Sequence, residues 1–141
     1  MSTVLILEDE RYTLEFLEAF VGNHFMVDAV FSVNNSQDAI KAAKKHMPDI
    51  ALLDIELKPE DRFDGIQTAE MISSVSPNTV FVFITGYSKY ALDSFMVHPY
   101  DYLLKPINKD KLAEIILKAT NLFIHSWLIL LKNPFISAST T

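Results

Sequence analysis

Short apolar, strand-forming runs alternate along this chain with longer segments in which apolar residues recur every three to four positions. The runs predict β-strands at residues 4–7, 26–31, 50–53, 80–84 and 102–104. The intervening segments predict α-helices at residues 10–21, 36–46, 65–75, 88–96 and from 109 onward. Because strands that alternate strictly with helices form parallel sheets covered on both faces, the chain is predicted to be an α/β protein with a five-stranded parallel sheet.

The length, composition and charge of the chain exclude several classes of protein function. The 141 residues suit one domain with one sizeable core. A net charge of -6 and a pI of about 5.1 argue against direct nucleic-acid binding, which needs a positive surface. The absence of cysteine excludes disulfides, cysteine zinc sites and thiol catalysis. The most apolar segment, 122–131, is shorter than the roughly 20 residues of a spanning helix, so we expect a soluble, cytoplasmic protein that makes no membrane contact.

Polar residues follow the predicted strands at their carboxyl ends, where α/β sheets bind ligands. Glu8 and Asp9 follow the first strand, and Asp54 closes the third. Thr85 follows the fourth strand and Lys105 the fifth. If the strand order is 2-1-3-4-5, the first and third strands are neighbours, and the three acids then converge on one small site.

Three carboxylates in one site require a proton or a cation, because two like charges about 4 Å apart repel by about 4 kcal/mol at an effective dielectric of about 20. An all-oxygen set of ligands suits Mg²⁺. Lys105 adds a positive charge beside Asp54, and Thr85 adds a hydroxyl donor. This combination indicates phosphoryl transfer to Asp54 as the nucleophile, with an aspartyl phosphate as the product.

Five motifs in order resemble the receiver domains of two-component response regulators. They are VLILEDE, IALLDIEL, FDGIQTAEMI, FVFITGYS and DYLLKPI, and the resemblance runs from Val4 to about Ala119. It implies the flavodoxin-like, CheY-like fold with strand order 2-1-3-4-5, here with an extended C-terminal helix. The implied activity is signal transduction in a phosphorelay, with no enzymatic activity apart from self-catalysed phosphoryl transfer and autodephosphorylation.

The resemblance also assigns roles to residues around the phosphoacceptor, Asp54. It implies Mg²⁺, with Mn²⁺ as a substitute, bound by Glu8, Asp9, Asp54 and the backbone carbonyl of Glu56. The phosphoryl donor would be a histidine kinase or a phosphotransfer protein. Lys105 would contact the phosphoryl group and form a cis peptide bond with the proline that follows it.

The resemblance implies a conformational switch as well. Thr85 would move toward the phosphoryl group and Tyr102 would turn inward, which would reshape the face made by the fourth helix, fifth strand and fifth helix. That face would control a partner or a dimer. Tyr87, two residues after Thr85, is predicted to shield the acyl phosphate from water, although a half-exposed loop residue is the simpler interpretation. Each residue alone also has a plain structural interpretation as a cap, turn or core residue, and only the constellation favours function.

The segment FITGYSKYALDSFMVHPYDYLLKPI resembles receivers of the LytTR class of transcription regulators, which carry a DNA-binding domain after the receiver. We expect residues 1–121 to form the receiver domain and residues 122–141 to form an apolar extension of the last helix plus a tail, too short for such a domain. The extension could pack on its own domain, form a homodimer contact or be part of a longer regulator, and we favour the dimer.

One departure from the family pattern and two alternative functions complete the sequence-based interpretation. The loop between Asp54 and Asp64 is longer than usual for the family, which affects the geometry beside the metal. One alternative function is a pseudo-receiver that binds partners without phosphorylation. The other is a Mg²⁺-dependent phosphatase of the haloacid-dehalogenase type, but that class places its nucleophile after the first strand, and Asp54 follows the third.

Overall fold

The computed structural model describes residues 2–86 and 97–132, with side chains described as far as Leu122. In chain order the described elements are β1 (Ser2–Leu7), α1 (Arg11–Gly22), β2 (Val27–Val33), α2 (Ser36–His46), β3 (Ile50–Asp54), α3 (Gly65–Val75), β4 (Val80–Thr85), β5 (Asp101–Leu104) and α4 (Lys109–Lys132). The helix predicted at 88–96 and the residue Tyr87 lie outside the described residues. The C-terminal helix is therefore labelled α4 here.

The strands form one parallel sheet in the order β2-β1-β3-β4-β5, which confirms the predicted topology. The central strands are apolar on both faces because helices cover both. In β1, Val4 and Ile6 face one core, whereas Leu5 and Leu7 face the other, and all four are buried. This period of two explains why the run is continuously apolar rather than alternating with polar residues.

Two apolar cores enclose the sheet. One packs β-strand side chains against α1 and α4 through residues that include Leu17, Val21, Leu112 and Ile116. The other packs the opposite face against α2 and α3 through a set that includes Ala39, Ala43, Ile66, Ala69 and Ile72. Each fully buried leucine or isoleucine contributes about 1.5–3 kcal/mol by leaving water, so the cores fix the sheet that carries the strand-end side chains.

The observed strand β2 differs from the predicted one, since it begins one residue later and ends at Val33 rather than at residue 31. The polar residue Ser32 interrupts the apolar run. Ser32 and the Val33 that follows it nevertheless pair with Ile6 and Leu7 in the parallel ladder. The extension occurs because β1 provides backbone partners to its own end, whatever the side chains of β2 are. Helix α2 is capped by Asn35, whose side chain accepts a hydrogen bond from the Asp38 backbone N–H.

Helix α4 continues without a break to Lys132, as the predicted extension of the last helix requires. Its first turn is capped by Asn108, whose side chain accepts a hydrogen bond from the Lys111 backbone N–H at 3.0 Å. The side chains of residues 123–132 lie outside the described part, as do residues 133–141. Among the described residues, no helix combines the length and hydropathy needed to cross a bilayer.

Candidate phosphoryl-transfer site

The strand register brings the predicted site residues to one edge of the sheet. Leu7 pairs with Leu53, so Glu8 lies beside Asp54 at the ends of β1 and β3. Asp54 in turn pairs with Ile84, which places Thr85 one residue beyond it on β4. Lys105 directly follows β5, and the peptide bond between it and the following proline is cis, as predicted.

Lys105 joins the two buried acids. Its ammonium nitrogen Nζ lies 3.1 Å from Glu8 Oε1 and 3.3 Å from Asp54 Oδ2. The side chain of Glu8 is 0% exposed and that of Asp54 is 1% exposed, whereas Lys105 keeps a third of its side chain in solvent. Apart from these ion pairs, neither carboxyl oxygen has a hydrogen-bond partner among the described residues.

The third acid, Asp9, completes a cluster whose chemistry fits a divalent cation. Glu8, Asp9 and Asp54 each offer a carboxylate oxygen, and these oxygens lie within 4.8 Å of one another. All the donors are hard oxygens, the type that Mg²⁺ prefers. The buried oxygens without hydrogen bonds on Glu8 and Asp54 give a cation a place to bind, because desolvated acceptors are costly until they are satisfied.

The pKa values follow from this crowding of negative charge. Burial and the neighbouring Glu8 carboxylate both raise the pKa of Asp54, and Lys105 lowers it. The net result is a pKa of about 8. Burial also raises the pKa of Asp9, with Glu8 adding to it and a hydrogen bond from the Lys58 backbone opposing it. For Lys105, burial lowers the pKa, but the charges of Asp54 and Glu8 outweigh burial and the net shift is upward. The metal-free site therefore holds a proton on Asp54 near neutral pH, which a bound cation would displace.

Helix α1 is capped by Glu10, and not by the two acids that precede it. The Glu10 side chain accepts hydrogen bonds from the backbone N–H groups of Tyr12 and Thr13, at 3.2 and 2.7 Å. The Glu8 side chain instead accepts from the Glu10 backbone N–H at 3.0 Å and turns its other oxygen to Lys105. Glu10 thus caps the helix, and Glu8 and Asp9 remain in the acidic cluster.

The side chain of Glu56 is a site feature that the sequence-based prediction missed. The prediction assigned only its backbone carbonyl, to the metal. In the structure the Thr85 hydroxyl donates to Glu56 Oε1 at 2.5 Å, and the Gly86 backbone N–H donates to the same oxygen at 3.0 Å. The Glu56 backbone N–H also donates to Asp54 Oδ1 at 3.3 Å. The position of Glu56 two residues after Asp54 was the available signal, since it places the carboxyl group beside the end of β4.

The long loop after Asp54 is anchored to the start of α2. Asp61 accepts hydrogen bonds from the backbone N–H and the hydroxyl of Ser36. Burial raises the pKa of Asp61. The hydrogen bonds from Ser36, together with one from the backbone N–H of Phe63, outweigh burial and hold this pKa below its usual value. The same loop brings Lys58 to Asp9, where its backbone donates a hydrogen bond. This loop therefore forms one wall of the acidic site.

Gly65 begins α3 where the backbone passes close to the end of β3. A Cβ atom on this residue would lie 2.1 Å from the Asp54 carbonyl oxygen and 2.7 Å from Ile55 Cα, both backbone atoms that cannot swing away. The Gly65 N–H donates to the Ile55 carbonyl at 2.9 Å, and Asp64 caps the helix in a reciprocal pair with Gln67. The Asp-Gly pair of the third motif thus lets α3 start directly under the loop that follows Asp54.

Tyr102 lies on β5 in register with Phe83, and it packs, partly buried, against the core formed with α2 and α3. The Lys111 Nζ lies 5.7 Å from the centroid of its ring. This position agrees with the plain core interpretation of Tyr102, and the switch role stays a prediction. The shielding role of Tyr87 also stays a prediction, because that residue lies outside the described part of the chain.

Comparison with known proteins agrees with this architecture. Residues 4–117 match the response regulator receiver domain family. The chain belongs to this family. It is 35% identical over 117 residues to the sensory transduction protein LytT of Enterococcus faecalis, an alignment that covers 83% of this chain and 47% of the relative. The resemblance to receivers of the LytTR class is thereby confirmed.

Further relatives support the same assignment. The receiver is 34% identical over 113 residues to the transcriptional regulatory protein NatR of Bacillus subtilis, covering 80% of this chain and 47% of that protein. Among solved structures, the receiver domain of AraT, a response regulator from Geobacillus stearothermophilus, superposes with a TM-score of 0.78 at 26% identity, covering 89% of this chain and 98% of that one. The chain spans about half the length of the curated relatives that it matches. It is therefore similar to their receiver portions.

Proposed function

We propose that this receiver accepts a phosphoryl group on Asp54 from a phosphohistidine donor, in a reaction that depends on Mg²⁺. The observation that carries the proposal is the convergence on Asp54 of two kinds of group. Two further acids lie on one side, within reach of a shared cation. A lysine nitrogen lies 3.3 Å from its Oδ2. A nucleophilic carboxylate needs both, because the transferring group adds negative charge to a site that already contains three acids.

In the proposed reaction a carboxylate oxygen of Asp54 attacks the phosphorus atom of the donor. The phosphorus–nitrogen bond to the donor imidazole breaks, and its electron pair stays on that nitrogen, which then takes up a proton. Lys105 offsets the negative charge of the transferring oxygens through its ammonium group. Bound Mg²⁺, held by Glu8, Asp9, Asp54 and the Glu56 carbonyl, would supply further charge neutralisation and orient the phosphoryl oxygens.

The product is proposed to act as a switch rather than as an intermediate of turnover. A phosphoryl group on Asp54 brings acceptor oxygens next to the end of β4, where the Thr85 hydroxyl lies. Movement of Thr85 toward those oxygens, with an inward turn of Tyr102, would remodel the surface around β5 and the C-terminal helix. A shift between two such states requires a difference of only a few kcal/mol. The output is proposed to be a partner protein or a homodimer through α4 and the tail.

The division of the chain is part of the same proposal. Residues 1–121 would carry the phosphoryl chemistry, and residues 122–141 would extend the last helix and end in the tail. Leu117 and Leu122, both on α4, are exposed, at 38% and 41%. They provide apolar surface on the helix that the homodimer would use. Sedimentation of the phosphorylated and unphosphorylated protein over a range of concentrations tests this contact, and a monomer throughout would contradict it.

Intact-mass spectrometry after incubation with acetyl phosphate tests the proposed reaction. The wild type should gain one phosphoryl mass with Mg²⁺ and none with a chelator, and Asp54→Asn should gain none. Asp28→Asn is the matched control, because Asp28 is an exposed acid on β2 away from the cluster. Labelling of Asp54→Asn at the wild-type level would reject Asp54 as the acceptor, and no labelling of any protein would favour the pseudo-receiver.

A further inference from the structure

The Glu56 carboxyl group accepts hydrogen bonds from two donors at the end of β4, the strand next to the one that carries Asp54. The Thr85 hydroxyl and the Gly86 backbone N–H both donate to Glu56 Oε1, at 2.5 and 3.0 Å. The second oxygen, Oε2, is buried and has no hydrogen-bond partner in the part of the chain that the structure describes. A hydroxyl and a backbone N–H directed at one acidic oxygen form an anion-binding arrangement.

This arrangement lies beside Asp54 on the side away from the metal cluster. Asp54 pairs with Ile84, so Thr85 and Gly86 are the next residues on the neighbouring strand. Among the described residues, the acids whose oxygens lie close enough to share a cation are Glu8, Asp9 and Asp54, and Glu56 is not in this group. The Glu56 side chain is therefore associated with the donors of the site and not with the predicted cation ligands.

A phosphoryl group on Asp54 would need the same donors. Its oxygens are strong acceptors that require hydrogen bonds, and the Thr85 hydroxyl and the Gly86 N–H lie at the end of the strand next to Asp54. A carboxylate left in place would compete for these donors and would also repel the incoming negative charge. Glu56 and the phosphoryl group therefore exclude one another from the Thr85 hydroxyl and the Gly86 N–H.

We propose that the Glu56 side chain is an internal competitor for the phosphoryl group. It holds Thr85 and Gly86 in the unphosphorylated state and must release them before the phosphorylated state is complete. The proposal rests on the proposed function, and Glu56 itself forms and breaks no covalent bond. Because only molecules with Glu56 displaced can use both donors, the apparent affinity for a phosphoryl-like anion is reduced by the fraction of such molecules.

The test measures binding of a phosphoryl analogue, beryllium fluoride, to the whole protein with saturating Mg²⁺. Amide resonances followed by NMR report binding to the wild type, Glu56→Ala, Glu56→Gln and Glu60→Gln. Glu60 lies in the same loop and is exposed, so its variant controls for lost charge. Glu56→Ala should bind about tenfold more tightly than the wild type, since charged hydrogen bonds contribute on that scale. Glu56→Gln should be intermediate, and Glu60→Gln should match the wild type.

A spectroscopic signature distinguishes release of the donors from a general change in structure. In the metal-free wild type, the Gly86 amide proton should resonate downfield because it bonds to a carboxylate, and it should move upfield in Glu56→Ala without beryllium fluoride. Affinities of Glu56→Ala and wild type that agree within about twofold would overturn the proposal. If Glu56→Ala bound Mg²⁺ alone more weakly than the wild type does, the proposal would also be overturned, because the Glu56 side chain would then be a ligand of the metal. If neither the wild type nor any variant binds beryllium fluoride, and acetyl phosphate labels none of them, the proposed phosphoryl transfer fails and the proposal for Glu56 fails with it.

Discussion

Lys105 Nζ lies 3.3 Å from Oδ2 of the buried Asp54, and this ion pair joins the ends of β5 and β3 across the end of β4. The same nitrogen lies 3.1 Å from Glu8 Oε1. One partly exposed cation thus contacts two acids that the fold has removed from water. Its position also places it beside the oxygen that would receive the phosphoryl group.

Replacement of Lys105 by methionine should weaken both the fold and the reaction. The change leaves two buried carboxyl groups without their cation. Because Lys105 is one-third exposed, we expect the free energy of unfolding without Mg²⁺ to fall by about 1–2 kcal/mol, less than for a fully buried pair. The rate of labelling by acetyl phosphate should fall about tenfold or more, because a stabilising charge is lost.

Urea denaturation and time-resolved intact mass measure the two effects, with Lys41→Met on the exposed surface of α2 as the charge-matched control. A labelling rate in Lys105→Met equal to that of the control would contradict the assigned role. If stability alone fell, the ion pair would be structural.

The metal-free protein should lose stability as the pH rises from about 4 to about 8. Asp54 has a pKa of about 8 in the folded state and 3.8 ordinarily, so the unfolded chain loses this proton first. Over that range the unfolded state binds fewer protons, and the free energy of unfolding therefore falls with rising pH. Mg²⁺ binds the ionised cluster, so its stabilising effect should grow with pH.

Thermal denaturation at several pH values, with chelator and with Mg²⁺, checks this dependence. Asp54→Asn is the control, because it removes the titrating group and should flatten the slope in chelator. A stabilisation by Mg²⁺ that is the same at about pH 6 and about pH 8 would speak against a cation bound by Asp54.

Substitution of Gly65 by alanine should disturb the end of β3, although a glycine has no side chain that could react. The added Cβ would lie 2.1 Å from the Asp54 carbonyl oxygen, so the backbone of one segment must shift. We expect a loss of about 1–3 kcal/mol in the free energy of unfolding, as for other overpacked sites. Gly22→Ala is the matched control, since its Cβ would meet the nearest side chain at 3.8 Å. Denaturant midpoints compare the two, and equal stability would show that the close approach relaxes freely.

Much of this fold follows from local patterns in the sequence. Continuous apolar runs such as 50–53 indicate parallel strands, and polar residues after each run converge once the strand order is known. The positions of Glu8, Asp54 and Lys105 at one sheet edge were predictable for that reason. The family resemblance supplied the strand order, which the pattern of apolar residues alone does not determine.

Other features depend on side-chain directions that no local pattern specifies. The contact of Glu56 with Thr85 joins residues 29 positions apart, and that of Asp61 with Ser36 joins residues 25 apart. The choice of Glu10 as the cap of α1, rather than Glu8 or Asp9, likewise depends on which carboxyl groups the sheet buries. Several acids of similar chemistry could make each of these contacts, so the sequence alone does not determine which acid does so.

The central claim, that Asp54 is the residue that takes the phosphoryl group, is tested most directly by chemical trapping. After incubation with acetyl phosphate and Mg²⁺, borohydride reduces an acyl phosphate on aspartate to the side-chain alcohol of homoserine, and peptide mass spectrometry locates it. The account predicts homoserine at position 54, dependent on Mg²⁺, and an unreduced side chain at both Glu8 and Asp9. Reduction at another acidic residue, or at none while the intact protein carries a phosphoryl mass, would contradict it.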